Sequence, residues 1–135
     1  MKRVLVDMSA TILHHGHVRL LAKASEYGQV LVALTDDSEI LSKKGYTPEI
    51  AFEGRREILE SIKYVHEVIS SPWLIDEEFL DIHNIDYLVH GHDNSNPVAK
   101  EKLIIFPRTE GISSTKIRSA VLSAVAEQIM SAENP

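Results

Sequence analysis

The stretch Val4-Leu5-Val6-Asp7-Met8-Ser9-Ala10-Thr11-Ile12-Leu13-His14-His15-Gly16-His17-Val18-Arg19-Leu20-Leu21 decides how the rest of the chain is understood. Its β-branched, apolar opening predicts a buried first strand over Arg3 to Asp7. The amphipathic segment that follows predicts a helix over His15 to Tyr27, with Leu20, Leu21 and Ala24 on one side and Arg19, Lys23 and Glu26 on the other. A strand, a turn and a helix in this order aim free backbone N–H groups at an anion. His14 and His17 project from the same first turn, and Gly16 between them lets a ligand approach the backbone closely. That combination suits a polyphosphate.

Outward from this turn the pattern repeats. Gly28 stands where a helix C-cap is expected, and Gln29 to Thr35 predicts a second strand, giving a β-α-β unit with a parallel pair. Asp36 to Thr47 is polar, carries Lys43, Lys44 and Gly45, and is expected as a mobile loop. Thr47-Pro48 suggests a helix start that continues through Phe52, Arg55, Leu59 and Ile62. Further strands are expected at Tyr64 to Ile69, Asp86 to Val89 and Lys102 to Phe106, with a short acidic helix over Asp76 to Asn84. Ser113 or Ser114 caps a last helix, from Thr115 to about Met130, whose Ile117, Val121, Leu122 and Val125 make an apolar stripe. The expected architecture is α/β: a doubly wound, Rossmann-like parallel sheet of five strands with helices on both faces. It forms a single domain over residues 1–130, with residues 131–135 as a frayed tail. Sheets of this kind bind ligands beyond the carboxyl ends of their strands, which is where the polar groups fall.

Composition narrows the function. The 135 residues carry 14 Lys and Arg against 20 Asp and Glu, a formal charge of −6, which argues against a nucleic-acid binder. No apolar run is long enough to span a bilayer, and Asp7 interrupts the first one too early for a signal peptide. The absence of cysteine excludes a disulfide framework and thiolate chemistry and makes a cytoplasmic setting the default.

Three sets of residues could carry chemistry. His14 and His17 could donate to the phosphates of a nucleoside triphosphate and stabilise charge on departing pyrophosphate; the bland alternative is that a histidine there only caps the helix. A zinc site is disfavoured because the adjacent His14 and His15 diverge and no ligand cluster stands nearby. Arg108-Thr109-Glu110-Gly111-Ile112-Ser113-Ser114-Thr115-Lys116-Ile117-Arg118 sets three hydroxyl residues at a helix start, again suited to an anion. Lys43, Lys44 and Arg55 could close on an anionic acceptor.

His14-His15-Gly16-His17 matches the HxGH signature of the nucleotidyltransferase superfamily. Arg108 to Ile117 resembles the RTEGIS(T/S)TKI segment of glycerol-3-phosphate cytidylyltransferases, and Arg55 to Ile69 is similar to their RxxILExIRYVDEVI stretch. The three segments stand in the same order and cover nearly the whole chain. The resemblance implies a Mg2+-dependent transfer of CMP from CTP to a small phosphate- or phosphonate-bearing acceptor, by a homodimer. It implies His14, His17, Lys44 and Arg108 as catalytic residues. Ser9, Gly16, Asp93, Ile112, Ser113, Ser114 and Thr115 would hold the nucleotide, Lys44 and Arg55 would bind the acceptor, and no residue would hold a metal. The chain departs from the family at Met8-Ser9-Ala10-Thr11, where Gly-Thr-Phe-Asp is usual, and at Gly91-His92-Asp93-Asn94, where Gly-Asp-Asp-Trp is usual. Ile112 to Arg118 also spells the ISSTxIR of adenylyltransferases. An ATP-dependent enzyme acting on FMN or a sugar phosphate is therefore the alternative, and a non-catalytic nucleotide-binding regulatory module a third reading.

Overall fold

A computed structural model describes residues 1–91 and 95–133. Its five strands, β1 (Arg3–Met8), β2 (Gln29–Thr35), β3 (Val65–Ser71), β4 (Tyr87–Gly91) and β5 (Leu103–Phe106), form one all-parallel sheet in the order β3-β2-β1-β4-β5. Between and after them run α1 (His15–Ser25), α2 (Asp37–Lys44), α3 (Phe52–Glu60), α4 (Glu77–Ile82) and α5 (Ser114–Glu133). This is the expected Rossmann-like α/β domain.

The central strand shows why an uninterrupted apolar run is needed. Val4 and Val6 pack on one face with Leu21 and Ala24 of α1 and Leu59 of α3. Leu5 enters the other face with Ile75, Leu80 of α4 and Leu88. Successive side chains alternate across the sheet, so both faces are sealed. The chain order reverses between β1 and β4, which opens a crevice at the carboxyl ends of these two strands.

Three expectations need correction. Asp36 to Thr47 is not a loop: α2 occupies most of it, with Asp36 as N-cap residue and Gly45 closing it in the left-handed conformation (φ 79°). Its single buried apolar residue, Ile40, is too little to register as a helical stripe. The next helix starts at Phe52 and not at Pro48, because the Asp37 carboxylate caps it from outside, accepting the Phe52 N–H at 3.1 Å. Gly28 lies beyond the α1 cap residue Glu26 and serves a close approach instead: a Cβ there would stand 2.3 Å from the Lys2 carbonyl oxygen. The apolar stripe of α5 is largely exposed: beyond the partly covered Ile117, Val121, Leu122 (72% exposed) and Val125 face outward. The helix runs to Glu133.

Candidate active site

A cavity of about 460 Å³ opens at the carboxyl end of the sheet. One wall is the turn from β1 into α1. His14 is the N-cap of α1, and its Nδ1 accepts the Gly16 N–H at 3.0 Å; His17 Nδ1 in turn accepts the His14 N–H at 3.1 Å. This is a capping box built from two histidines, their rings 4.0 Å apart. Capping and ligand binding are therefore not alternatives here. With each Nδ1 used as an acceptor, the neutral rings carry their proton on Nε2, and both residues line the cavity. Gly16 is required by the same geometry, since a Cβ on it would meet His14 Cε1 at 2.7 Å.

Burial, and secondarily His14, lowers the His17 pKa to about 4; burial and His15 lower that of His14 as well. The site thus presents neutral N–H donors, not imidazolium ions. The sign of the resulting pH dependence is fixed. An unfolded chain protonates these histidines near 6.5, whereas folded His17 resists down to about 4. Stability is complete above pH 6.5 and is expected to fall as pH drops toward 4, by at most about 1.4 kcal/mol per pH unit per histidine. Thermal melts at pH 7 and pH 5 test this; equal melting temperatures would contradict the buried, neutral pair.

The second wall is the start of α5. Ser113 Oγ accepts the Lys116 N–H at 3.1 Å, and Ser114 Oγ donates to the Ile12 carbonyl at 3.0 Å, which ties this helix to the β1–α1 turn. His14, His17 and Ser114 therefore meet in one cavity, as their places at strand ends imply. Ser9, Gly16, Ile112, Ser113 and Thr115 line it too, and so do Lys44 and Arg108. Asp93 lies outside the described residues.

Arg55 is placed differently from expectation. It does not line the cavity. Its side chain is buried beneath it, with Nη1 donating to the Ser9 carbonyl at 2.6 Å and both Nη atoms donating to the Thr35 carbonyl at 3.1 Å. Nε donates to the Ile50 carbonyl at 3.0 Å, and Nη2 is paired with the Asp37 carboxylate. The guanidinium is used up in joining the ends of β1 and β2 to α2 and the approach to α3.

The cavity also has residues that the sequence did not single out as site residues. Arg118 grips Glu49 with two hydrogen bonds of 2.6 and 2.7 Å, donates to Thr11 Oγ1 at 2.8 Å, and stacks on Tyr46 with 4.6 Å from the guanidinium carbon to the ring centroid. The Arg118 hydrogen bond lowers the Glu49 pKa to about 2. Lys44 Nζ stands 5.5 Å from the Trp73 ring centre. Asp7, His90 and Asn96 form a polar group at the ends of β1 and β4. The signal for the Arg118 and Asp7 sets is absent from local sequence because the partners lie 69 to 107 residues apart. Arg19, Lys23, Lys44, Arg108 and Arg118 give the lining a cationic character suited to phosphates. Among the described residues no three His, Asp or Glu side chains are grouped to hold a metal ion.

The chain is similar to several known proteins. A family model described as cytidylyltransferase-like matches residues 9–120. Glycerol-3-phosphate cytidylyltransferase of Bacillus subtilis is 36% identical over 126 residues, covering 90% of this chain and 98% of that protein. The enzyme of the same name from Staphylococcus aureus is 40% identical over 126 residues, covering 87% and 93%. Ethanolamine-phosphate cytidylyltransferase of Arabidopsis thaliana is 34% identical over 145 residues; the match takes in 96% of this chain but only 34% of that longer protein. Among solved structures, a lipopolysaccharide core biosynthesis protein from Thermoplasma volcanium superposes with a TM-score of 0.68 at 19% identity, over 82% of this chain and 99% of that one, which bears on the fold alone.

Proposed function

The chain belongs to the cytidylyltransferase-like family, and from that membership we infer that it transfers CMP from CTP to a small phosphate-bearing acceptor, releasing pyrophosphate. An oxygen of the acceptor's phosphate (or phosphonate) attacks the α-phosphorus of CTP, and the bond from that phosphorus to the bridging oxygen of pyrophosphate breaks. No covalent enzyme intermediate is needed, so the protein's part is positioning and charge stabilisation.

The observation that carries this reading is the convergence of two helix starts and five cationic side chains on one cavity. In the proposed roles, the Nε2–H groups of His14 and His17 donate to the β-phosphate side as negative charge develops there. Arg108 and the Ser113-Ser114-Thr115 turn hold the nucleotide, with Ser9, Gly16 and Ile112 shaping the wall around it. Lys44, at the end of α2, meets the acceptor's anionic group. Arg55 supports the floor under these residues and is not assigned to the acceptor.

A Mg2+ requirement is proposed with the ion carried by the triphosphate, because Mg2+ in nucleotide sites is bound largely through substrate phosphates and water. Bound there, the ion would offset phosphate charge. A homodimer is supported by the apolar residues that α5 leaves exposed, which a second copy could cover. A cytoplasmic setting is supported by the use of CTP and the absence of cysteine. Among the described residues no helix is long and apolar enough to cross a membrane.

Pyrophosphate release tests the reaction, and calorimetric titration tests the nucleotide. CTP with Mg2+ is expected to bind at least tenfold more tightly than ATP, because the Arg108 to Ile117 segment follows the cytidylyltransferase pattern. A clear ATP preference would reassign the enzyme as an adenylyltransferase.

A further inference from the structure

Most charged groups around the cavity suit an anion, and Asp7 does not. Among the described residues it is the sole carboxylate in the lining. It is fixed in place. One oxygen lies 2.5 Å from His90 Nδ1, and the other accepts from Asn96 Nδ2 at 3.1 Å. Asn96 is itself buried, and its Oδ1 accepts the Ile75 N–H at 2.7 Å. Three separate segments thus converge to hold a side chain that is only 11% exposed.

Such a placement is costly. A carboxylate largely removed from water forfeits much of its solvation, and among the described residues its ion-pair partner is His90, a cation only when protonated; no Lys or Arg pairs with it. In a cavity that must take phosphates it also repels the substrate. Its two hydrogen bonds fill about half of the four positions a carboxylate can accept. A rigid negative charge in a cationic wall is useful when a bound molecule brings a positive charge of its own.

The location says which molecule. Asp7 follows Leu5 by two residues on β1, and His90 follows Leu88 by two on β4, so both face the α4 side of the sheet. The histidine pair belongs to α1, which packs on the opposite face. Trp73 and Leu74 precede the Ile75 tether directly and line the cavity, and Lys44 stands over Trp73. The Asp7 side is thus the wall across from the triphosphate donors, the one that Lys44 shares.

We propose that Asp7, positioned by His90 and Asn96, contacts an ammonium group on the acceptor, so that the acceptor is an aminoalkyl phosphate or aminoalkyl phosphonate. Lys44 meets its anionic end and Asp7 its cationic end. This rests on the CMP-transfer reading for the side on which the acceptor sits.

The test compares phosphoethanolamine and 2-aminoethylphosphonate with ethyl phosphate, which lacks the amine, and with glycerol 3-phosphate. Binding to the full chain is measured by calorimetry in the presence of CTP without divalent cation, and turnover separately by pyrophosphate release with Mg2+. At least one amino acceptor is expected to bind about 100-fold more tightly than ethyl phosphate, and Asp7→Asn to shrink that ratio to within a few-fold. Which of the two binds better tells a phosphate from a phosphonate acceptor. Equal binding of ethyl phosphate, preference for glycerol 3-phosphate, an unchanged ratio in Asp7→Asn, or no measurable binding of either amino acceptor would overturn the proposal. The ratio in the unmodified protein decides even if the variant does not fold. Tight, amine-dependent binding without pyrophosphate release would refute CMP transfer while upholding the ammonium contact.

Discussion

His17→Ala is expected to lower kcat a hundredfold to a thousandfold while weakening CTP binding far less. During transfer, negative charge builds on the departing pyrophosphate, so a fixed donor aimed there gains strength only as the bond breaks. Removing one such donor raises the barrier by about 3–4 kcal/mol. The ring is well suited to the task because the His14 N–H occupies its Nδ1 and burial keeps it neutral, which leaves an N–H donor on Nε2. Ground-state affinity is shared with Arg108 and the hydroxyls at the start of α5. Alanine also removes half of the capping box, at a cost of about 1 kcal/mol in stability. His17→Gln separates the two effects, since glutamine at that position can still accept the cap hydrogen bond. Both variants should therefore lose turnover, and the glutamine should keep the melting temperature. Near-normal kcat in a folded His17→Ala protein would remove the histidine from the mechanism.

Arg55→Ala is expected to destabilise the fold by about 3–5 kcal/mol, the range for breaking a buried ion pair on one side. The guanidinium serves three carbonyl oxygens and the Asp37 carboxylate, all of which would be left short of donors. Against a total stability of about 5–15 kcal/mol that loss is severe. Arg55→Lys should recover only part of it, because one ammonium cannot reproduce a planar fork. Urea unfolding measures both. Full stability in Arg55→Ala together with a raised KM for the acceptor would return Arg55 to the substrate side.

The strands were legible in the sequence because a buried parallel strand needs an unbroken apolar run, and Val30 to Leu34 or Val4 to Val6 can do little else. The histidine turn was legible because its cap, glycine and helix stripe lie within a dozen residues. Arg55 was not. Its burial depends on Ser9 and Thr35 carbonyls that only the folded sheet brings beneath α3, and a basic residue on an amphipathic helix gives no sign of that. Asp7 was hidden for a similar reason: it ends an apolar strand, and its partner His90 stands 83 residues later. The exposed α5 stripe shows the converse limit, since periodicity marks an apolar face without saying what covers it.

The strand order has a consequence for how the chain finds this structure. β1 lies between β2, paired across a connection of some twenty residues, and β4, which arrives only after residue 87. One edge of β1 can be satisfied early by the β1-β2-β3 half, while the other waits for β4 and β5. Loop closure over that distance must precede any reward from the contacts it creates, so β1–β4 pairing carries the higher contact order and is expected to form more slowly than β1–β2. The cavity straddles that seam. Asp7 reaches His90 only when the two halves zip together, so a chain with only the β1-β2-β3 half formed would lack the wall proposed for the acceptor.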